Sequence, residues 1–126
     1  MGLKKDKHVQ QAPQGISLLL IGVSTPEVTR KHQLLHDSGF VVTLVDNICN
    51  AELLSEAQYF DAAVYDESLS EVEQVSLART MRVRWPWMRL VRYGHQALTI
   101  TEDAVFDATT ASEASLPAIV LGCLSL

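Results

Sequence analysis

The stretch FDAAVYD, at residues 60–66, holds a short apolar run between two aspartates. A run of this kind is typical of a strand that is covered on both faces of a parallel sheet. Residues 16–22 (ISLLLIG) have the same character, and residues 40–45 (FVVTLV) are rich in β-branched side chains, which favour strands. Two further strands are predicted at residues 88–93 (MRLVRY) and 104–107 (AVFD).

Helix-start signals separate these strands. The sequence STPE at residues 24–27 predicts a capping box with Ser24 as the N-cap and a helix that ends at Gly39. The apolar positions of this helix are Val28 and Leu35, and either Thr29 or His32 is expected to join them on its inner face.

A second capping box, SEVE at residues 70–73, opens a helix that stops before Pro86. Its inner positions are predicted to be Val72, Val75, Leu77, Ala78 and Met81. Helices are also predicted at residues 50–59 and 112–123, where Pro117 requires a kink or a later start.

Alternating strands and helices require crossover connections, which indicate a parallel sheet with helices on both faces. Residues 15–126 are therefore predicted to form one α/β domain, and the polar residues 1–14 are expected to be a flexible leader. In such sheets ligands bind at the carboxyl ends of the strands. The positions to inspect are thus the residues that directly follow each strand.

Composition excludes several classes of function. The net charge of −5 disfavours a nucleic acid partner. The apolar stretches at residues 16–23 and 116–124 are about half the length that a membrane-spanning helix needs. These short stretches predict no membrane partner. The two cysteines, Cys49 and Cys123, lack CxxC spacing, and a reduced, cytoplasmic chain is preferred over one with a single disulfide between them.

Three segments of the chain resemble the receiver domain of response regulators, the CheY-like module of bacterial two-component signalling, whose fold is flavodoxin-like. Residues 16–22, with the helix that follows and SGFVV at residues 38–42, are similar to the family's first strand, first helix and entry to strand two. FDAAVYD is similar to the run that ends in the phosphoacceptor aspartate, here Asp66. RWPWMRLV, at residues 84–91, resembles the approach to strand four.

The rest of the switch site departs from the family pattern. Receivers hold Mg²⁺ with a pair of acids after strand one, where this chain has Gly22 and Val23, and no carboxylate occurs between Asp6 and Glu27. The family's threonine or serine after strand four is replaced by Tyr93 or Gly94, and its lysine after strand five by Ala108. No lysine follows Lys31.

These absences remove the charges that phosphoryl transfer needs. Mg²⁺ requires several oxygen ligands, and one carboxylate binds it poorly. Phosphoryl transfer depends on positioning and on neutralising negative charge. We therefore expect neither metal nor cofactor, and Asp66 is expected to be a solvated or capping acid with nothing to offset the charge of an incoming phosphate. His32 and His36 lack a third metal ligand.

Residues 94–103 separate the last two predicted strands by only ten positions. They are too few for a helix and two loops, so the receiver's fourth helix is predicted to be missing or reduced to one turn.

A degenerate receiver is expected to act through a protein partner, either another signalling protein or a second copy of the chain. The candidate partner patch is a cluster of cations with two aromatic anchors. Its members are Arg79, Arg82, Arg84, Trp85 and Trp87.

The preferred hypothesis is a regulatory interaction module that works without phosphorylation and is not an enzyme. Two alternatives stay open. One is a working response regulator that is phosphorylated on Asp66, and the other is a small flavodoxin-like ligand-binding domain.

Overall fold

Five parallel strands form a single sheet in the order β2-β1-β3-β4-β5 in a computed structural model that describes residues 15–55, 57–98 and 105–124. The strands are β1 (Ser17–Ile21), β2 (Val41–Val45), β3 (Ala62–Tyr65), β4 (Arg89–Tyr93) and β5 (Ala108–Thr110). The helices are α1 (Pro26–Asp37), α2 (Ile48–Glu52), α3 (Glu71–Arg84) and α4 (Leu116–Leu124). The predicted flavodoxin-like α/β fold is confirmed. The expected leader lies outside the described residues.

Side chains on the two faces of the sheet form two separate cores. On one face, strand residues such as Leu19 and Ala63 pack with Leu77 and Met81 of α3. On the other face, Leu18 and Val64 belong to a cluster with residues of α1 and α4, among them Val28, Leu35, Leu116 and Val120. This alternation along each strand follows from the period of two in an extended chain. The ion pair of Arg30 with Glu113, at 2.6 Å, also joins α1 to the segment before α4.

The ends of α1 follow the sequence signals, with one correction. Thr25, not Ser24, is the N-cap, because its side chain accepts a hydrogen bond from the Val28 backbone N–H while Pro26 takes the first helical position. Gly39 follows the helix at φ 102°, a conformation that glycine adopts without strain.

Two of the other predicted helices are shorter than expected. α2 covers only Ile48–Glu52, because Asn47 caps it early and the chain turns at Leu53, which is exposed. α4 begins at Leu116, so Pro117 falls in the first turn, where its missing N–H is tolerated. In α3, the predicted capping box is present between Ser70 and Glu73.

The inner face of α3 is as predicted except at one position. Val72 is exposed, and Gln74 is buried near the start of the helix instead. The side chain of Gln74 donates to the Asp66 carbonyl and accepts from Arg92 at the carboxyl edge of the sheet.

The position predicted for the fifth strand is wrong. β5 is Ala108–Thr110, and Val91 pairs with Ala108. Phe106, which the apolar pattern placed in a strand, instead packs its ring at 5.4 Å on that of Tyr65. Ala104 lies outside the described residues. Between β4 and β5 the described residues 94–98 and 105–107 are not helical, and the rest of the predicted short connection lies outside them.

Candidate functional site

Asp66 lies at the carboxyl edge of the sheet, directly after β3. Ile21 pairs with Tyr65, and the Asp66 N–H donates to the Ile21 carbonyl at 2.9 Å, so Asp66 lies beside Gly22. The side chain of Asp66 is only 2% exposed. The expectation of a solvated acid is therefore wrong, although the carboxylate does accept a local hydrogen bond, as a capping acid would.

Lys31 of α1 supplies the charge that pairs with this buried carboxylate. Its Nζ lies 2.8 Å from Asp66 Oδ1, and the lysine side chain is also only 2% exposed. Oδ1 has no directed hydrogen bond within the described residues, so the attraction is that of an ion pair. The expectation that nothing offsets the charge near Asp66 is thus wrong as well.

The place of Lys31 on α1 explains how its ammonium group reaches the sheet edge. Val28, Lys31 and Leu35 are the buried residues of the helix and recur at the spacing of one helical face. Lys31 therefore takes the inner position predicted for Thr29 or His32. A lysine can lie among apolar residues because its aliphatic stem packs there while the amine reaches a polar partner.

The second carboxylate oxygen of Asp66 is also occupied. The Ser68 N–H donates to Oδ2 at 2.8 Å, and the Ser68 hydroxyl accepts from the Val23 N–H at 2.9 Å. Val23 thus contributes its backbone N–H to the hydrogen bonds around Asp66, and its aliphatic side chain has no polar atom that could bind a ligand. Both Asp66 oxygens have partners within the protein.

Gly22 leaves no room for the acid that receivers carry after strand one. A Cβ atom at this position would lie 2.8 Å from the Cβ of Asp66 and 3.0 Å from Cγ2 of Val28. Contacts of this length require the neighbours to move. The backbone at position 22 can therefore approach Asp66 this closely because glycine has no side chain.

Tyr93 covers the ion pair from the side of β4. The Lys31 ammonium lies 4.2 Å from the centre of the Tyr93 ring, a distance at which cation–π attraction is favourable. The tyrosine hydroxyl donates to the Ala111 carbonyl at 3.2 Å. Burial, with added repulsion from the carboxylates of Glu113, Glu67 and Asp66, raises the pKa of Tyr93. The phenol is thus held neutral beside the ammonium group.

A magnesium ion does not fit the residues at this edge. The position next to Asp66 Oδ1 is filled by an ammonium group, and Gly22 and Val23 carry no oxygen in their side chains. No cluster of three or more His, Cys, Asp or Glu side chains suited to a metal occurs in the described ranges. A hard cation would lack its oxygen ligands and would be repelled by Lys31.

Other predicted site residues lie elsewhere. Ala108 is the first residue of β5 rather than the residue that follows it, because the strand ends at Thr110. Gly94 follows β4 and lies beside the guanidinium of Arg92. His95 is exposed, and its Nδ1 lies 3.0 Å from a carboxylate oxygen of Glu67.

The predicted partner patch is divided by the fold. Trp85 is fully buried and donates its indole N–H to the Gln58 carbonyl, so it belongs to the core and not to a docking surface. Arg82 donates to the Val105 carbonyl, and Arg84 donates to the Glu52 carbonyl at 2.8 Å. Arg79 is exposed and also has contacts within the protein.

Trp87 is the aromatic residue of the patch that does reach the surface. It is 48% exposed, and its ring stacks on the exposed ring of Tyr59 with the centroids 5.7 Å apart. Its indole N–H donates to the Phe60 carbonyl. This stacked pair is an exposed aromatic surface at the beginning of β3 and β4, opposite to the edge that holds Asp66.

Comparison with known proteins gives partial sequence matches. No family model matches the chain. Over 72 residues, 56% of the chain, it is 33% identical to the alginate biosynthesis transcriptional regulatory protein AlgB of Pseudomonas putida and 35% identical to AlgB of Pseudomonas aeruginosa. The matched segment spans 16% of the length of these relatives.

Solved structures match over most of the chain. The receiver domain of a sensor histidine kinase from Pseudomonas aeruginosa, with magnesium coordinated in its active site cleft, is 21% identical with a TM-score of 0.74 and covers 89% of this chain and 99% of its own. A receiver protein from Sinorhizobium medicae is 26% identical with a TM-score of 0.70 and covers 86% of this chain and 94% of its own. A CheY-like receiver domain from Methanospirillum hungatei is 19% identical with a TM-score of 0.72. The match covers 86% of this chain and 92% of that domain.

These neighbours are response-regulator receiver domains, and the curated relatives are AlgB regulators. None of the helices within the described residues is long and apolar enough to cross a membrane. The chain therefore has the flavodoxin-like α/β fold of receiver domains, with a lysine–aspartate ion pair at the carboxyl edge of its sheet.

Proposed function

We propose that this chain is a receiver-like regulatory domain that binds a protein partner without being phosphorylated on Asp66. The observation that carries the proposal is the buried ion pair between Lys31 and Asp66. The Lys31 ammonium offsets negative charge at Asp66, but at 2.8 Å from Oδ1 it occupies the position that a divalent cation would need.

The geometry of Asp66 opposes phosphorylation in two ways. An attacking carboxylate oxygen must be reachable by the phosphodonor, and this side chain is almost fully buried. Both of its oxygens already have partners, so either the Lys31 contact or the Ser68 contact would have to break. Among the described residues, no cluster of three or more His, Cys, Asp or Glu side chains is placed to bring a divalent cation to a phosphoryl group.

The surface that best fits a protein partner is the stacked pair of Tyr59 and Trp87. Tyrosine and tryptophan are enriched at the energetic centres of protein interfaces, because they bury a large area with little loss of side-chain entropy. Their stacking fixes both rings before a partner arrives. This surface is distant along the strands from Asp66, which is consistent with binding that does not depend on the switch site.

Treatment with acetyl phosphate and Mg²⁺, followed by intact-mass measurement, tests the proposal. An ordinary receiver domain treated in parallel serves as the positive control. We expect the wild-type chain to stay unmodified under conditions that phosphorylate the control. A phosphoryl adduct that disappears in Asp66→Asn would show that the chain is a working phosphoacceptor instead.

A second copy of the chain is the simplest partner to examine. Sedimentation equilibrium should give the same average mass with and without acetyl phosphate. If the chain self-associates through the aromatic pair, Trp87→Ala should lower that mass. An increase in mass that requires acetyl phosphate would contradict the proposal.

A further inference from the structure

Arg92 is a second buried cation near the carboxyl edge of the sheet. It is 6% exposed and lies in β4, where it pairs in register with Tyr65 of β3. Its side chain points to the face of the sheet that α3 covers, whereas Lys31 and Tyr93 lie on the opposite face. The two cations therefore belong to different sites.

Gln74 fixes one edge of the Arg92 guanidinium. Arg92 Nε donates to Gln74 Oε1 at 2.8 Å, and Gln74 Nε2 donates to the Asp66 carbonyl at 2.8 Å. The glutamine is thus held at both ends of its amide group. The guanidinium plane is fixed through Nε, and no hydrogen bond joins Nη1 or Nη2 to another described residue.

No carboxylate in the described ranges forms an ion pair with Arg92. A buried guanidinium is costly when no anion balances its charge. The other cation with this degree of burial, Lys31, has Asp66 as its counter-ion. Within the part of the chain that the structure describes, the side-chain partner of Arg92 is the neutral oxygen of Gln74.

An open cavity of about 420 Å³ lies in front of this guanidinium. Its polar lining includes Ser70 and Gln74 of the α3 start, Arg92 of β4 and His95 of the loop that follows. Gly94 makes room for the arginine, because a Cβ atom at that position would lie 3.0 Å from Nη2 and 3.1 Å from Cζ. The cavity therefore has one fixed cation and a volume that admits a small polar group.

The other charges around the cavity limit the ligand. Glu67 and Glu71 also line it, and Glu67 lies against His95. Two carboxylates oppose a doubly charged anion more strongly than a singly charged one. A guanidinium with two free nitrogens matches the two oxygens of a carboxylate.

We propose that the cavity beside Arg92 binds a single carboxylate group, supplied either by a free organic acid or by an acidic side chain of a protein partner. The site is separate from the ion pair of Lys31 and Asp66, so it stands even if Asp66 proves to be phosphorylated. Arg92 is its anion-binding residue, and Gln74 and Gly94 position the guanidinium.

Nuclear magnetic resonance titration of the whole chain tests this site. The probes are acetate, the blocked peptide acetyl-Ala-Glu-Ala-amide and inorganic phosphate, followed through the Arg92 Nε–H and Gln74 side-chain amide signals. We expect saturable shifts of both signals with acetate or the peptide, at dissociation constants of about millimolar. Tighter binding of the peptide assigns the carboxylate to a partner protein, and equal or tighter binding of acetate assigns it to a free acid.

Variants decide whether the shifts report on Arg92. Arg92→Gln should abolish the shift of the Gln74 side-chain amide, and Arg92→Lys should weaken binding several-fold because the ammonium offers no fixed pair of donors. Arg89→Gln, which removes a cation from the opposite end of β4, is the matched control and should leave binding unchanged. The spectrum of each variant also reports whether it folds.

Three results would overturn the proposal. They are the absence of saturable shifts at Arg92 and Gln74 with both carboxylates, equal binding by a folded Arg92→Gln chain, and tighter binding of phosphate than of acetate at pH 8, where phosphate is a dianion.

Discussion

The ion pair of Lys31 and Asp66 is the residue-scale feature on which the functional proposal depends. Burying either charge alone is costly, and the attraction between the two repays the cost only when the geometry is good. Here the charged atoms are 2.8 Å apart, Ser68 satisfies the second carboxylate oxygen, and Tyr93 covers the ammonium. Removing one partner would leave the other charge buried without compensation.

A double-mutant cycle measures this coupling. Lys31→Met and Asp66→Asn should each lower the free energy of unfolding by about 3–5 kcal/mol, because each leaves an unpaired buried charge. The double variant should lose less than the sum of the two single losses, since neither charge is then present. Urea denaturation gives the three values. Additive losses within about 0.5 kcal/mol would show that the pair does not form.

Gly22 gives a second residue-scale prediction. Gly22→Ala should lower the free energy of unfolding by about 1–3 kcal/mol, because the new methyl group would collide with the Asp66 and Val28 side chains. Gly122→Ala in α4 is the matched control, because nothing lies within 4 Å of a Cβ there. It should be neutral or stabilise the helix by up to about 1 kcal/mol. Equal effects of the two substitutions would contradict the close packing at Gly22.

At the scale of elements, the capping box of α3 holds the start of the helix whose first turns position Gln74. Ser70→Ala should cost about 1 kcal/mol of unfolding free energy, because the Glu73 N–H loses its acceptor. Ser76→Ala, in the exposed middle of the same helix, should change stability by only a few tenths of a kcal/mol. Thermal unfolding of the two variants makes the comparison, and a loss in Ser76→Ala as large as in Ser70→Ala would argue against the cap.

Local signals in the sequence predicted some elements well and others poorly. The capping box of α3 and the glycine after α1 are local chemistry, so they could be identified from a few residues. β5 could not, because its position depends on pairing with β4, and its short Ala-Thr-Thr sequence is less apolar than the segment before it. Phe106 adds to the apolar pattern of that segment, but its ring packs against Tyr65 and it lies outside the strand.

At the candidate site, too, local sequence signals identify some residues but not those that depend on contacts across the fold. Asp66, Gly22, Val23 and Tyr93 were placed at the correct strand ends by the fold and by the family resemblance. Lys31 could not be identified in this way. Val28, Lys31 and Leu35 have the spacing of one helical face, but lysine is almost always exposed unless its charge is paired. Its partner lies across the fold, and no local pattern identifies that partner.

At the scale of the whole molecule, the two tryptophans near Pro86 have opposite roles. Trp85→Ala should lower the free energy of unfolding by about 3–5 kcal/mol, because it opens a cavity in the core between α3 and the sheet. Trp87→Ala, the matched surface variant, should cost less than about 1.5 kcal/mol, since its ring is half exposed. Chemical denaturation distinguishes them, and similar losses would contradict the division of the predicted partner patch.

The described residues thus combine the fold of receiver domains with a buried, charge-paired aspartate at the carboxyl edge of the sheet. The sheet brings the ends of β1 and β3 together, and α1 carries Lys31 into the same place. A switch that depends on gaining a metal and a phosphoryl group would have to displace this lysine first. One stable state is therefore expected at this edge of the sheet.

Whether a metal ion binds beside Asp66 is tested by titrating the chain with Mg²⁺ and following the backbone amide signals of Gly22, Val23 and Ser68. We expect no saturable shift at millimolar Mg²⁺, because the ammonium group of Lys31 occupies the position next to Asp66, and Gly22 and Val23 carry no side-chain oxygen. Saturable shifts confined to these three residues would contradict it, since they would show that a metal ion binds beside Asp66.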